Sequence, residues 1–121
     1  MEKKMKKMDP KVKANWLTAL RSDAFKKCEG ALCTVQKTKK GEKCEFCVLG
    51  VLAEVQGVPR STDKYGDTAF RFGKRTEESS VPPDSFLKSV GLTHKTAQEL
   101  YTKNDDGESF KSIADYIEQN L

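Results

Sequence analysis

The sequence has few of the residues on which most enzyme active sites depend. It contains a single histidine in 121 residues. We interpret His94 as a surface residue, because it lies early in a polar segment and has no second histidine to share a metal ion. The chain has no glycine-rich phosphate loop, no Gly-x-Ser-x-Gly elbow and no His-x-x-x-His pair. We therefore expect that the protein is not an enzyme.

The sequence also lacks a long hydrophobic run. Its mean hydropathy is -0.68, and its longest apolar stretch, 47–55, is far shorter than the ~20 residues needed to span a bilayer. The basic start, 1–8, is not followed by the apolar segment of a secretory signal. We therefore expect no membrane association and a cytoplasmic location with reduced thiols.

The positive charge is concentrated at the start of the chain. The net charge is +4, and residues 1–13 alone carry six lysines against Glu2 and Asp9. The remainder is neutral overall, which disfavours a nucleic-acid-binding domain, because such domains usually present a basic face. The length allows one domain with one core. We predict a flexible basic tail over 1–8 and a single globular domain over 9–121.

The apolar spacing predicts an α+β fold. Asp9 and Pro10 are typical of a helix start, and an apolar stripe continues to near Ser22. The stretch 31–46 predicts an antiparallel β-hairpin with a turn at 37–41. The run 47–55 has almost no polar face, so it predicts a buried central helix.

Further helices are predicted nearer the C-terminus. They begin close to Asp84, Thr93 and Ser109, and the first ends at Gly91. We expect a mainly helical single domain of about five helices, one small antiparallel hairpin or sheet, and a central buried helix.

The four cysteines lie within twenty residues that end at Cys47. They are Cys28, Cys33, Cys44 and Cys47. This spacing is compatible with a four-thiolate zinc site, with buried or free thiols, or with disulfides. A thioredoxin-like redox pair requires a parallel α/β context that the rest of the sequence does not show. We expect no cofactor, with zinc as the alternative.

The segment 57–82 is the least regular and holds the best candidate binding surface. It brings together aromatic and cationic side chains: Tyr65, Phe70, Arg71, Phe72, Lys74 and Arg75. This combination suits a protein interface, or an anionic nucleotide through stacking and charge-assisted hydrogen bonds. The structural alternative is that Phe70 and Phe72 complete the core while the charged residues are solvated.

Several short motifs are distributed along the chain: Trp16-Leu17-x-Ala19-Leu20-Arg21-Ser22, Gly30-Ala31-Leu32, Phe46-Cys47-Val48-Leu49-Gly50-Val51-Leu52, Pro82-Pro83, Gly91-Leu92 and Asn104-Asp105-x-Gly107-x-Ser109-Phe110-x-x-Ile113-Ala114-Asp115-x-Ile117-Glu118. Together they resemble those of a family of small bacteriophage and prophage proteins. The family commonly has Phe-Cys-Cys-Leu-Gly-Val-Leu-Cys at the central helix and Leu-Asn-Asp-x-Gly-x-Ser-Phe near the end. This chain departs from that pattern at Val48 and Ala53, which replace cysteines. The motifs are apolar or turn residues and mark a fold, so no functional residue is transferred.

The resemblance implies a non-enzymatic binding protein in the cytoplasm of an infected bacterium. Phage accessory proteins of this kind act in host takeover or counter-defence, by binding a host protein or by sequestering a nucleotide signal. The alternative is a zinc-stabilised four-cysteine module that contacts nucleic acid through its basic tail. The sequence carries no signal for an oligomeric state.

Overall fold

The described part of the chain forms five α-helices and six short β-strands in this computed structural model. The structure describes residues 8–22, 25–28, 33–39, 41–62, 68–72, 75–77 and 82–121. The helices are α1 (Pro10–Arg21), α2 (Val48–Val55), α3 (Asp84–Val90), α4 (His94–Asp105) and α5 (Phe110–Asn120). The strands are β1 (Lys26–Lys27), β2 (Cys33–Thr38), β3 (Gly41–Phe46), β4 (Arg60–Thr62), β5 (Thr68–Phe72) and β6 (Arg75–Glu77). The predicted α+β class with a helical majority is confirmed.

The first helix begins at the predicted cap. The carboxylate of Asp9 accepts the backbone N–H groups of Lys11 and Val12 at 2.9 and 3.2 Å. Pro10 occupies the first helical position, where its missing N–H costs nothing. The buried face of α1 consists of Trp16, Ala19 and Leu20.

The second helix is the centre of the core, as the apolar run predicted. Its residues 48–53 are all buried. The indole N–H of Trp16 donates to the carbonyl of Val48 at 2.9 Å, which fixes α1 on α2. Each aliphatic side chain buried here contributes about 1.5–3 kcal/mol through removal from water. Segment 48–53 is therefore the part of the chain around which α1 and α4 assemble.

The first sheet is mixed, which corrects the prediction of a purely antiparallel one. β2 and β3 pair in the antiparallel sense, with Cys33 opposite Phe46. β1 pairs with β3 in the parallel sense and gives the strand order β1-β3-β2. β1 was not predicted, because Lys26 and Lys27 carry neither the alternation nor the residue types typical of strands.

A second sheet occupies the middle segment, which the sequence marked only as the least regular part of the chain. β5 pairs in the antiparallel sense with β4 on one side and β6 on the other. The prediction of one sheet was therefore wrong. β4 and β6 are only three residues long each, which is too short to show strand periodicity in the sequence.

The last three helices follow their predicted start and stop signals. Gly91 ends α3 with φ of 85°, a left-handed conformation that glycine adopts at little cost. The Thr93 hydroxyl caps α4 by accepting the backbone N–H of Thr96. The Ser109 hydroxyl caps α5 by accepting that of Ser112.

α1 and α5 are joined by a polar clamp. The guanidinium of Arg21 donates to the carboxylates of Glu118 and Asp115, at 2.8 Å each. These hydrogen bonds, that to Glu118 above all, raise the pKa of Arg21. The ammonium of Lys13 also donates to the backbone carbonyl of Glu118 at 3.1 Å. The first and last helices of the described chain are therefore held against each other.

The predicted tail ends one residue earlier than expected. Met8 is only 2% exposed and belongs to the core, and the backbone N–H of Asp9 donates to the carbonyl of Val90 at 3.2 Å. The prediction of a tail over 1–8 is therefore corrected at Met8, while residues 1–7 lie outside the described residues. No helix in the described ranges has both the length and the apolar character to cross a membrane.

Candidate functional site

The structure describes four of the six predicted binding residues, and it places one of these four in the core. Phe70 is fully buried, so its place in an exposed binding surface was wrong. Phe72 is half-buried. Arg71 and Arg75 lie on β5 and β6, where Arg71 pairs with Thr76 and Arg75 with Phe72. Two predicted residues lie outside the described ones: Tyr65 and Lys74.

Five phenylalanine rings form a continuous row through the molecule. The row, which we call the phenylalanine row, runs Phe25, Phe46, Phe70, Phe72 and Phe86. The first and last contacts are edge-to-face, with ring centroids 5.3 Å apart for Phe25–Phe46 and 5.0 Å apart for Phe72–Phe86. The two inner contacts are tilted, at 6.3 Å each. Aromatic pairs in such geometries are stabilised beyond the area they bury.

The row ends in two half-buried rings, one of which belongs to a helix that also lines a groove. Phe72 and Phe86 are both half-buried. Phe86 belongs to α3, and other residues of α3 line a cavity of about 430 Å³, which we call the α3–α4 groove. The groove is lined by Asp84, Leu87, Lys88, Gly91, Leu92, Thr93 and His94. α3 therefore contributes both to the aromatic pair and to the groove.

The groove has a polar rim of mixed charge. Nδ1 of His94 lies 3.5 Å from Oδ1 of Asp84, and both side chains are largely exposed. This agrees with the interpretation of His94 as a surface residue. Lys88 adds an exposed cation, while Leu87 and Leu92 are apolar.

A second cavity lies at the junction of α1, β1 and α5. It has a volume of about 510 Å³ and is called here the basic cavity. Its lining residues are Leu20, Phe25, Lys27, Gly107, Ser109, Phe110 and Lys111. This cavity was not predicted, because its lining residues are far apart in the chain. Only Ser109, as a helix cap, and Gly107, as a turn residue, carried any local signal.

Lys27 is held firmly at the wall of the basic cavity. Its ammonium group donates to the backbone carbonyls of Asn104 and Glu108, at 3.0 Å each. Both carbonyls belong to the C-terminal end of α4 and the turn that follows, where a cation is favourable. The charge of Lys27 is therefore placed by the fold rather than left on a mobile chain.

Asn104 is the buried polar residue of the described core. Its Oδ1 accepts the backbone N–H of Val48 at 3.0 Å, and its Nδ2 donates to the carbonyl of Cys28 at 2.8 Å. Burying an amide is costly unless its hydrogen bonds are made, and here they are. Asn104 thus joins α4, α2 and the end of β1. The sequence showed only a turn at this position.

Two of the four cysteines are buried thiols. Burial is the main factor that raises the pKa of Cys47 from 9.0 to about 12. Its sulfur accepts the backbone N–H of Gly50 at 3.3 Å and caps α2. Cys28 is also buried, whereas Cys33 and Cys44 lie on strands whose side chains are outside the described part. Among the described residues, no group of three or more His, Cys, Asp or Glu side chains is placed to hold a metal ion.

Comparison with known proteins gives no match: no family model, no curated protein and no solved structure matches this chain. The resemblance to the bacteriophage family therefore stays a prediction that depends on the motifs quoted above. The α3–α4 groove, the basic cavity and the phenylalanine row are the structural features that bear on function.

Proposed function

We propose that the protein is a non-enzymatic binding protein of bacteriophage type, which acts in the host cytoplasm by docking on a host protein. Its role would be host takeover or counter-defence. The observation that carries the proposal is that α3 contributes both Phe86, of the half-buried pair Phe72–Phe86, and several residues that line the α3–α4 groove. Compared with the binding surface predicted from the sequence, the proposed surface includes Phe72, excludes the buried Phe70 and adds residues of α3.

The aromatic pair suits a protein interface. Aromatic side chains are enriched among the residues that dominate binding energy. Phe72 and Phe86 already restrain each other edge-to-face, with ring centroids 5.0 Å apart. Binding a partner over these two rings therefore costs less side-chain entropy than ordering two freely rotating rings would.

The α3–α4 groove, to which α3 also contributes, has the composition of such an interface. Its apolar residues Leu87 and Leu92 are bordered by Asp84, Lys88 and His94. An apolar centre with a polar rim is the usual anatomy of a protein–protein contact. A rim of both charge signs favours a protein surface over a polyanion, which would be repelled by Asp84.

Affinity capture from a bacterial lysate tests the proposal with matched baits. The variants are Phe86→Ala, which truncates the aromatic pair, and Lys88→Glu, which reverses an exposed charge on the groove. The control is Lys39→Glu, which makes the same charge change at an exposed turn between β2 and β3. Thermal melting of each bait first establishes that it is folded.

We expect one host protein to be retained by the wild type and by Lys39→Glu and lost from both groove variants. Direct titration of that purified protein should then show affinity at least about tenfold weaker for Lys88→Glu. If every captured protein is retained equally by all four baits, the α3–α4 face is not the binding surface and the proposal fails.

A zinc-stabilised module that contacts nucleic acid through its basic tail is the second candidate. It is favoured by the first sheet, which brings two cysteines to the flanks of Phe46, the residue before Cys47. The backbone N–H of Cys28 donates to the carbonyl of Phe46 at 2.9 Å, and Cys33 pairs with Phe46 from the other side. Cys44 lies on the same strand as Phe46. The raised pKa of Cys47 counts against a thiolate in the metal-free protein.

Metal analysis and DNA binding test this second candidate. It requires one equivalent of zinc in protein purified without chelator, a large loss of stability on chelation, and DNA binding that weakens steeply with salt. Protein that is folded and free of zinc would exclude it.

A further inference from the structure

Cys28 and Cys47 are neighbours across the parallel ladder of the first sheet, one residue beyond β1 and β3. The register places Lys27 opposite Phe46, and the backbone N–H of Cys28 donates to the carbonyl of Phe46 at 2.9 Å. In a parallel ladder a residue donates its N–H to the carbonyl that precedes its partner, so this bond pairs Cys28 with Cys47. Residues paired in this way point to the same face of a sheet, so the two thiols share one face.

The amide of Asn104 occupies the next step of this ladder. There the carbonyl of Cys28 and the N–H of Val48 would bond each other if the ladder continued. Instead the carbonyl accepts from Nδ2 of Asn104 at 2.8 Å, and the N–H donates to its Oδ1 at 3.0 Å. The inserted amide ends the ladder and holds the two backbones that carry the thiols.

The ladder sets a spacing that a disulfide can bridge. Neighbouring strands lie about 4.7–4.9 Å apart, and the Cα atoms joined by a disulfide are usually about 4.4–6.8 Å apart. Both residues carry thiols in the described structure, and both are buried, with Cys28 8% exposed and Cys47 0% exposed. Burial is the main factor that raises the pKa of Cys47, to about 12, and Cys28 is a further one, which agrees with their proximity.

From this pairing we infer that Cys28 and Cys47 are a redox-active thiol pair, which a low-molecular-weight disulfide converts into a protein disulfide. The cross-link joins the end of β1 to the start of α2 and makes the β2–β3 segment a covalently closed loop. Closing a loop of about twenty residues restricts the unfolded chain, so the oxidised protein is the more stable form. The inference is independent of the proposed docking surface, because neither cysteine lines the α3–α4 groove.

The reaction consists of two thiol–disulfide exchanges. In the first, the thiolate of Cys28 attacks the small disulfide, and one small thiol leaves. In the second, the thiolate of Cys47 attacks the mixed disulfide on Cys28, and a second small thiol leaves. Each protein thiol gives up its proton, and each departing thiolate takes one up. The two cysteines are thereby oxidised by two electrons, and the small disulfide is reduced to two thiols.

Local opening at the edge of the sheet gives the oxidant access to Cys28. β1 has two residues and is an edge strand, since the strand order is β1-β3-β2. A short edge element opens at a lower free energy than the core does. The closed protein buries both thiols, so the exchange is slow and proceeds through this opening.

Oxidation in a glutathione buffer tests the pair. The full-length protein, with its thiols first reduced, is incubated with oxidised glutathione and quenched with iodoacetamide. Digestion with trypsin and a glutamate-specific protease separates all four cysteines, because Glu29 lies between the first two and Glu45 between the last two. We expect the fragment Cys28-Glu29 to be recovered in disulfide linkage with fragment 46–54. The oxidised protein should unfold at a temperature higher by about 5 °C or more, and dithiothreitol should reverse this rise.

Matched serine variants separate this pair from the other cysteines. Cys47→Ser keeps a capping oxygen and should abolish the rise in unfolding temperature on oxidation. The control, Cys33→Ser, should retain both the cross-link and the rise. Thermal melting of each reduced variant first establishes that it is folded; if a variant is not folded, fragment mapping of the wild type decides.

Three results would overturn the inference. The first is a cross-link that joins Cys28 to Cys33 or Cys44 in place of Cys47. The second is glutathione that stays on Cys28 without forming a cross-link. The third is an oxidised wild type that carries the cross-link but unfolds at the same temperature as the reduced protein.

Discussion

The side-chain oxygen of Asn104 accepts the backbone N–H of Val48 at 3.0 Å, and this bond attaches the end of α4 to the first turn of α2. The first N–H groups of a helix have no partner inside it. The start of α2 is buried, so the protein itself supplies the acceptor. Asn104 and the sulfur of Cys47 share this task.

Replacing Asn104 by alanine should strongly destabilise the protein. The change leaves the N–H of Val48 and the carbonyl of Cys28 buried without their partner, at a cost of about 2–4 kcal/mol. The control is Asn120→Ala, because the amide of exposed Asn120 donates to the carbonyl of Tyr116 at 2.8 Å. Urea denaturation should show a loss below about 1 kcal/mol for that variant. Equal losses would mean that Asn104 is not buried as described.

The fluorescence of the protein should report on the α1–α2 contact. Trp16 is the single tryptophan of the chain and is fully buried. Its native emission should therefore be blue-shifted and protected from acrylamide. Both properties should be lost together at the unfolding midpoint. Native emission typical of a solvated indole would show that α1 does not pack on α2 through this residue.

Alkaline pH should lower the free energy of unfolding through Cys47. Its pKa is about 12 in the folded protein and 9.0 when unperturbed, so between these values the unfolded state loses the proton first. The native state then binds more protons, and stability falls by up to about 1.4 kcal/mol per pH unit. Below pH 9 the thiol is protonated in both states and contributes no pH dependence.

The contribution of Cys47 is isolated by comparison with Cys47→Ser, which keeps a capping oxygen and removes the titrating thiol. Stability should be measured from pH 8 to 11 for both proteins. We expect the difference between their slopes to appear above about pH 9. Parallel curves would contradict the burial of this thiol.

Two methionines of the basic start should respond differently to the same substitution. Met8 is 2% exposed, so Met8→Ser should cost about 2–4 kcal/mol through lost burial and a new buried hydroxyl. Met5 falls in the predicted tail, and Met5→Ser should cost less than about 0.5 kcal/mol. Thermal or urea unfolding of the two variants measures both. A large effect of Met5→Ser would overturn the tail prediction.

The elements that were predicted correctly are those with local signals. Asp9 and Pro10 mark the start of α1, Gly91 ends α3, and Ser109 caps α5. These signals are local, because a cap acts on backbone groups within one turn. The buried helix α2 was predictable because a run without a polar face has no stable place at a surface. Such signals need no knowledge of distant residues.

The remaining features depend on partners far apart in the chain. β1 is a strand because β3 lies beside it, and nothing in Lys26 or Lys27 shows this. Lys27 enters the basic cavity only because the turn after Asn104 reaches it. Phe70 alternates with Arg71 in a pattern that fits a binding surface and a core strand equally. In the structure β5 pairs with a strand on each edge, and its residue Phe70 is buried. The sequence does not show this pairing.

The phenylalanine row has a consequence for how variants of its members combine. Each ring touches the next at centroid distances of 5.0 to 6.3 Å, and Phe25 is separated from Phe86 by three other rings. Stability effects are non-additive for touching residues but sum beyond about 7–10 Å when no partner is shared. Double-mutant cycles should therefore give coupling for Phe72 with Phe86 and none for Phe25 with Phe86. Phe25 and the Phe72–Phe86 pair can then be redesigned one at a time in a single chain.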